Sequence, residues 1–344
     1  AANLLLAPPA GQMAVMGLDP GLRSGCKLAV VDKQGAFLES ATIFPTEPAN
    51  DVEGAEQTLI ALVEKHQVQG IAIGNGTGAR EAARFVTGAL KKIPDSKTFM
   101  VFVNEAGASV YSASKLAREE FPDMDVTIRG AVSIARRLQD PLAELVKIEP
   151  RSIGVGQYQH DVNQRRLREG LYRTVENCVN HIGVDLNTAS VELLRYVSGI
   201  QMGTAQSIIE FRTTSGGFQS RSQLMEVSGI GEKTFEQCAG FLRVRNGEHP
   251  LDATGIHPEA YPVVERMAGD LGVPVTELIG NHKLLDAADL SPFVNETIGL
   301  LALNDIRQEL LQPGRDPRAV FKVPRFIDGV YDVQDLEEGM EAEG

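Results

Sequence analysis

The stretch AVMGLDPGLRSGCKLAVVDKQGAFLESATI, residues 14–43, decides the fold of the first domain. Ala14 to Leu18 is an apolar run that ends in the turn sequence Asp19-Pro20-Gly21. Two further runs, Cys26 to Val31 and Ala36 to Ile43, are rich in apolar and β-branched residues and are separated by a second polar turn sequence. The pattern predicts three consecutive strands joined as a meander.

Working outward from this meander, strands alternate with helices. The predicted elements that follow are a helix over Asp51–His66, a strand over Gly70–Ile73, a helix over Thr77–Lys92, a strand over Thr98–Val103 and helices over Ala106–Glu120 and Gly130–Leu138. Such an order predicts an α/β domain, a mixed sheet with flanking helices.

The chain changes character after about Lys147, where helical periodicity replaces strand patterns. Asp161 to His181 is predicted to be one long connecting helix. An internal repeat follows at a spacing of 30 residues, because Val197-Ser198-Gly199-Ile200 recurs as Val227-Ser228-Gly229-Ile230. Each copy predicts a helix, a tight glycine turn and a second helix, which is a helix-hairpin-helix.

A hairpin of this kind can hold a phosphate group. Glycine lets the turn backbone approach an anion closely, and the N–H groups at the start of the next helix favour negative charge. The candidate contacts are Gly199, Gly203, Gly229, Gly231 and Lys233. The alternative is a helical packing unit in which the glycines serve only the turns. The second copy is the stronger candidate because Gln201 replaces the second glycine of the first copy.

The overall charge of −13 opposes nucleic-acid binding, but its distribution does not. The stretch from Thr127 to Arg173 has nine basic residues against five acidic ones, and Arg165 and Arg166 within it are candidate phosphate contacts. A solvated helix face explains these charges equally well. From Asp328 onward the chain is acidic, with no basic residue.

Composition excludes several classes of protein. No apolar run approaches the length of a membrane helix, and the short run Leu4-Leu5-Leu6 lacks the basic segment of a secretory signal. The three cysteines are far apart, which favours reduced thiols over disulfides or zinc. We therefore expect a cytoplasmic location and no membrane partner.

Three acidic residues are candidates for catalysis in the first domain. Asp19 ends the first strand, Glu105 follows the strand Thr98–Val103, and Asp140 follows the helix Gly130–Leu138. If these three ends meet, the carboxylates can hold two Mg²⁺ or Mn²⁺ ions for phosphodiester hydrolysis. Each has a structural alternative. Asp19 can open the Pro20-Gly21 turn, Glu105 can complement a helix N-terminus, and Asp140 can cap the helix that begins at Pro141. Asn75 lies at another central strand end, where an amide would be a poorer metal ligand.

Long motifs then identify a resemblance to a known family. The stretches Gly17–Gly21, Ile73–Thr77, Asn104–Ser112 and Arg129–Leu145 resemble the YqgF, or RuvC-like, domain of the Tex family of transcription accessory proteins, and Gly154–Asn163 and Glu232–Gln237 also resemble Tex sequences. The resemblance implies an RNase H-like fold for the first domain, followed by all-α helix-hairpin-helix and helical domains. It also implies nucleic-acid binding, of RNA or DNA, coupled to transcription and to RNA polymerase.

The resemblance suggests the following organisation. The expected segments are a lead-in (1–13), the RNase H-like domain (14–147), a connecting segment (148–182), the tandem helix-hairpin-helix (183–246), a helical domain (247–327) and an acidic lead-in (328–344) to an OB-fold RNA-binding domain that the 344 residues do not contain. The family's N-terminal helical region is likewise outside them.

Two functions remain open at this point. One is a nonenzymatic nucleic-acid-binding transcription factor whose RNase H-like domain is a scaffold. The other is a metal-dependent nuclease or resolvase-like enzyme that uses Asp19, Glu105 and Asp140. A protein-interaction role for the region after Pro250 is a third possibility without a specific signature.

Overall fold

A computed structural model describes residues 1–153 and 155–323. The chain divides into two compact units. The first, here called the sheet unit, comprises Ala1–Leu171 together with residues 318–323. The second, the helical unit, comprises Tyr172–Pro317. The acidic segment 328–344 lies outside the described residues, and no helix among the described residues is long and apolar enough to cross a membrane.

The sheet unit is built on one five-stranded mixed sheet with the strand order β3-β2-β1-β4-β5. Its strands are β1 (Val15–Asp19), β2 (Cys26–Val31), β3 (Phe37–Ile43), β4 (Gly70–Gly74) and β5 (Phe99–Val103). The first three strands pair antiparallel as the predicted meander, and β4 and β5 add parallel to β1. Strand β1 is thus central, and its carboxyl end shares one edge of the sheet with the carboxyl ends of β4 and β5.

Helices cover both faces of this sheet. They are α1 (Ala2–Leu5), α2 (Val52–His66), α3 (Ala79–Leu90), α4 (Ala108–Ala113), α5 (Lys115–Glu120), α6 (Val126–Gln139) and α7 (Pro141–Leu145), and α8 (Gln164–Ile182) continues from the sheet unit into the helical unit. Helices α2 and α3 bury one face and α6 buries the other. This arrangement is the RNase H-like fold that the sequence predicted.

Two helix boundaries differ from the sequence prediction. The single helix expected over Ala106–Glu120 is two helices, because Ser114 adopts an extended backbone and its hydroxyl caps α5 by accepting from the Ala117 N–H at 3.1 Å. Helix α6 begins at Val126 rather than near Gly130, since the Asp125 side chain caps it.

Helix α6 lies directly on β1 and runs antiparallel to it. A Cβ atom on Gly17 would lie 2.0 Å from the carbonyl oxygen of Ala131, so only glycine allows this approach. At the other end of the helix, Gln139 Nε2 donates to the carbonyl oxygen of Met13 at 2.7 Å, just before β1 begins. The start of α6 therefore faces the carboxyl end of β1, and its last turn faces the opposite edge of the sheet.

The helical unit begins with the tandem hairpins. After the end of α8 it contains α9 (Val191–Leu194), α10 (Met202–Ser215), a 3-10 helix (Arg221–Glu226), α11 (Glu232–Cys238), α12 (Tyr261–Asp270), α13 (Val275–Leu278), α14 (His282–Ala287) and α15 (Leu300–Leu311). Two short parallel strands, β6 (Val184–Asp185) and β7 (Leu242–Arg243), tie the start of the tandem to its end. The predicted repeat is confirmed as two helix-hairpin-helix copies.

Arg221 connects the second hairpin copy to the helices that follow. The side chain is 1% exposed, and its guanidinium donates to the carbonyl oxygens of Ile256 at 2.7 Å, Thr254 at 2.6 Å and Asp252 at 2.9 Å. The carboxylate of Asp252 in turn accepts from the Arg221 backbone N–H at 2.7 Å. A buried charge is thus satisfied mainly by backbone, which fixes residues 251–256 against the hairpins.

Candidate functional site

The two hairpin turns have the same geometry. Gly199 and Gly229 have φ values of +81° and +88°, a backbone conformation that favours glycine. Both glycines are exposed, whereas Ile200 and Ile230, which directly follow them, are buried. The isoleucine of each turn anchors the hairpin in the core, so the glycine backbone faces outward.

Each turn packs against the second helix of the other copy. A Cβ atom on Gly199 would lie 2.9 Å from Cβ of Gln237 in α11, and one on Gly229 would lie 3.4 Å from Oγ1 of Thr204 in α10. The hairpins are therefore held as a reciprocal pair. These glycines serve the protein's own packing as well as any ligand, so part of the structural alternative considered for them is correct.

The helices of each copy differ in how they begin. The first helices are capped by serine, since Ser190 Oγ accepts from the Leu193 N–H at 3.2 Å and Ser220 forms a capping box with Gln223. Among the described residues, no side chain caps α10 or α11, the helices that follow the turns. Their first N–H groups are left for an external acceptor.

The remaining hairpin candidates are open to solvent. No described atom lies within 4 Å of the Cβ position of Gly203 or Gly231, and both residues are exposed. Lys233 is exposed and makes no ion pair with the described residues. A phosphate group can therefore approach Gly203 and Gly231 without displacing a side chain.

The first turn is also fixed from behind by α8. The Ser198 N–H donates to Oδ1 of Asn180 at 3.2 Å, and its hydroxyl donates to Oε1 of Glu176 at 3.2 Å. Arg165 and Arg166 lie at the other end of α8, in the sheet unit, and both are exposed. Arg165 forms a solvent-exposed i,i+4 ion pair with Glu169, so its charge is partly compensated.

A carboxylate pair lies at the carboxyl edge of the sheet. Asp19 ends β1, and Glu105 follows β5 and reaches back over the end of β4. A Cβ atom on Gly76 would lie 1.9 Å from Glu105 Oε1, and one on Gly74 would lie 2.6 Å from Oε2. The glycines of Gly74-Asn75-Gly76 thus provide the space that the Glu105 side chain occupies.

The two carboxylates influence each other electrostatically. Burial, and after it the charge of Glu105, raise the pKa of Asp19 to about 6 against the opposing effect of the Lys27 charge. Beneath the Glu105 loop, Arg137 Nη1 donates to the carbonyl oxygens of Asn104 at 2.6 Å and Ala106 at 2.9 Å. The Arg137 guanidinium thereby fixes the path of the chain around Glu105.

Asp140 does not join this pair, contrary to the expectation that the three ends meet. It is separated by ten residues of α6 from Gly130, which faces Asp19, and this corresponds to about 15 Å at 1.5 Å per residue. Asp140 instead caps α7 by accepting from the Ala143 N–H at 3.2 Å and pairs with Arg318 at 2.7 and 3.2 Å. The helix-capping alternative describes its position correctly.

The residue of α6 that does face the pair is Gly130. A Cβ atom there would lie 3.2 Å from Asp19 Oδ2. Asn75 offers no substitute, because its Oδ1 accepts from the Glu105 N–H at 3.2 Å. Among the described residues, no group of three or more His, Cys, Asp or Glu side chains is placed to hold a metal ion. The contact of Gly130 with Asp19 was not predicted, because a glycine in a helix carries no catalytic signal.

Comparison with known proteins assigns three segments of the chain. Residues 13–139 match the Tex protein YqgF-like domain, residues 179–243 match the helix-hairpin-helix motif, and residues 249–318 match an HHH domain. The third match lies within residues 247–327, for which the sequence predicted only a helical domain. The turns at Gly272 and Gly280, which have φ values of +72° and +76°, are the local signals there, but their flanking sequence does not repeat the tandem.

Curated relatives match nearly the whole chain. Protein tex of Bordetella pertussis is 54% identical over 342 residues, which cover 99% of this chain and 43% of that protein. Transcriptional accessory protein Tex of Neisseria gonorrhoeae is 51% identical and is covered to 45%. The chain therefore spans less than half the length of these relatives.

Among solved structures, Thermus thermophilus RuvC in complex with a Holliday junction substrate has a TM-score of 0.28 and 19% sequence identity. The similarity covers 36% of this chain and 91% of that one. From the family matches and the curated relatives, this chain belongs to the Tex family and contains a YqgF-like domain followed by helix-hairpin-helix domains.

Proposed function

We propose that this chain holds nucleic acid by its sugar-phosphate backbone, as part of a Tex-type transcription accessory protein, and that its RNase H-like domain is a scaffold. The observation that carries the proposal is the reciprocal pair of exposed glycine turns at Gly199 and Gly229, each followed by a helix whose first N–H groups lack a side-chain acceptor among the described residues. Two such turns can contact phosphates of the same ligand.

Recognition of this kind does not read base sequence. Backbone N–H groups and Lys233 donate to phosphate oxygens, which are identical at every nucleotide. RNA and DNA are therefore both candidate ligands. The name of the Neisseria gonorrhoeae relative, transcriptional accessory protein Tex, connects the role to transcription, and an association with RNA polymerase follows from that role as a proposal.

The scaffold role rests on the donor set around Asp19. Hydrolysis with two Mg²⁺ or Mn²⁺ ions needs several carboxylates that converge on both ions. Asp19 and Glu105 converge, but Gly130 has no side chain to offer and Asp140 is held by Arg318. The residues present do not fit a two-metal centre.

The binding test uses Gly203 and Gly231, whose Cβ positions are open. Because no described atom lies within 4 Å of either position, glutamate there adds bulk and negative charge toward the ligand without a clash inside the protein. We expect Gly231→Glu and Gly203→Glu each to weaken binding to labelled single- or double-stranded RNA or DNA about tenfold or more, measured by fluorescence anisotropy at fixed salt. Gly269→Glu, at an exposed position of α12, is the matched control because its Cβ position is equally open.

The outcome can also count against the proposal. If both hairpin variants bind like Gly269→Glu, the turns do not contact the ligand. Incubation of the native chain with Mg²⁺ or Mn²⁺, beside Asp19→Asn, tests the scaffold role separately. Cleavage by the native chain that Asp19→Asn abolishes would replace the scaffold by a nuclease.

A further inference from the structure

An open cleft of about 670 Å³ lies in the sheet unit, outside the hairpins. One wall is the start of α4, and the other is the segment that leads into α8. Its polar lining includes Ser109, Glu149, Arg151, Ser152, Gln159 and His160. The second wall, within residues 149–164, lies between the matched family segments 13–139 and 179–243 and belongs to neither.

The second wall carries basic groups, and an exposed tyrosine adjoins it in the sequence. Arg151 lines the cleft with its side chain 44% exposed, and His160 is exposed beside it. Tyr158 lies outside the lining, directly before the lining residue Gln159 in the 3-10 helix Gln157–Asp161, and is 70% exposed. A tyrosine ring with this exposure can stack on a base, and the side-chain nitrogens of Arg151 and His160 can donate to phosphate.

The acidic residue of the lining is compensated. Glu149 Oε1 lies 3.7 Å from Nε of Arg151 and 3.9 Å from Nε of Arg168. Beyond the lining residue Gln164, Arg166 is exposed, whereas Arg165 is paired with Glu169. Residues 149–169, which form and continue this wall, hold four arginines against three acids, Glu149, Asp161 and Glu169, a net charge of +1 that favours an anionic ligand.

The cleft adjoins the carboxylate pair. Ala106 and Gly107, which line it, are the residues that directly follow Glu105. A Cβ atom on Gly107 would lie 3.0 Å from the carbonyl oxygen of Ser152, so the two walls meet closely at this glycine. A strand of nucleic acid laid in the cleft would pass beside the carboxyl edge of the sheet.

We propose that this cleft binds a single strand of nucleic acid, with Arg151 and His160 on the phosphates and Tyr158 stacked on a base. The inference rests on the proposed nucleic-acid-binding function but assigns it a second surface, separate from the hairpins. A single strand is the fitting ligand because stacking on Tyr158 requires an unpaired base, and stacking accepts any base.

The first part of the test locates the bound strand. The native chain is photocrosslinked to a single-stranded oligouridylate that contains 4-thiouridine, and the products are digested with trypsin. Tyr158 and His160 leave in the peptide of residues 152–165, whereas the hairpins leave in the peptides 196–212 and 222–233. We expect crosslinks in residues 152–165 as well as in the hairpin peptides.

The second part measures affinity for the same oligonucleotide. Tyr158→Ala is expected to weaken binding about tenfold, and Tyr158→Phe, which keeps the ring, to retain it. Arg151→Gln should lower the slope of log K against log salt by about 0.7, the value for one phosphate contact on a single strand. Lys33→Gln removes an exposed charge in the turn between β2 and β3 and should leave the affinity unchanged.

The possible failures are distinguishable. If the native chain binds but crosslinks only within the hairpin peptides, and Tyr158→Ala binds normally, the cleft assignment is overturned while the proposed function stands. If the native chain binds no oligonucleotide, single- or double-stranded, both proposals fail.

Discussion

Asp19 shows how burial and charge act on one side chain. Its carboxyl group is ordinarily ionised above pH 4, but in the fold its pKa is about 6. The ionised form is therefore less favourable in the folded chain than in the unfolded one. The resulting loss of stability is absent below the unfolded pKa and complete above the folded pKa, so it develops between about pH 4 and pH 6.

Replacement of this carboxylate should stabilise the sheet unit at neutral pH. We expect Asp19→Asn to raise the free energy of unfolding at pH 7.5 by about 1 to 2 kcal/mol, after allowance for solvent screening at a partly exposed group. At pH 4 the difference should shrink toward zero. Denaturant unfolding at both pH values checks this, and a loss of stability at pH 7.5 would contradict it.

Gly76 controls the position of the second carboxylate. An added methyl group would overlap Glu105 Oε1, the far end of a flexible side chain, so the side chain moves rather than the backbone. We expect Gly76→Ala to be folded normally and to lower the pKa of Asp19 from about 6, because the charge of Glu105 moves away. A carboxyl-carbon NMR titration measures this pKa. An unchanged value would show that Glu105 is not a source of the shift.

At the scale of elements, the buried guanidinium of Arg221 joins the second hairpin copy to residues 251–256. Its guanidinium satisfies several backbone carbonyl oxygens and faces Asp252, which is 2% exposed. Its removal leaves these carbonyl oxygens without the guanidinium and takes away the positive charge 4.0 Å from the buried carboxylate of Asp252. Burial lowers the pKa of Arg221, with the charges of Tyr261 and Asp252 opposing this effect.

We expect Arg221→Met to lower the free energy of unfolding of the helical unit by about 3 to 5 kcal/mol, the usual effect of breaking a buried charged contact. Arg245→Gln is the matched control, since Arg245 is 69% exposed and lies 3.6 Å from Asp185. Its effect should stay within about 0.5 kcal/mol. Equal effects of the two substitutions in thermal or denaturant unfolding would contradict the role of Arg221.

The elements also show what the sequence can and cannot predict. The meander of β1 to β3 and the repeated hairpins follow from local patterns, and both are confirmed. The position of Asp140 depends on the direction in which α6 crosses β1, which is set by the contact at Gly17 and is not visible in local periodicity. For the same reason the sequence could not show that Gly130, rather than an acid, faces Asp19.

At the scale of the whole chain, the sheet unit is completed by a segment that follows the helical unit in the sequence. Arg318 is 5% exposed and pairs with Asp140, and Phe321 packs on Phe99 of β5 with ring centroids 5.6 Å apart. The chain thus leaves the sheet unit near Leu171 and returns to it at Arg318.

This return should depend on the charge of Asp140. We expect Asp140→Asn, which keeps an oxygen to cap α7, to increase the rate of tryptic cleavage after Arg318 and Lys322 several-fold. Cleavage after Arg266, which is 61% exposed, serves as the internal standard of the same digest. Equal rates after Arg318 in both proteins, measured by mass spectrometry, would show that the ion pair does not protect the returning segment.

The pairing of Asp140 with a residue 178 positions later also imposes an order on synthesis. At about 5 to 20 residues per second, the ribosome needs roughly 10 to 35 s to reach Arg318 after it has added Asp140. During that interval the hairpins and the helices after them emerge while the sheet unit still lacks its last segment. The helical unit is therefore the first of the two units whose sequence is fully synthesised.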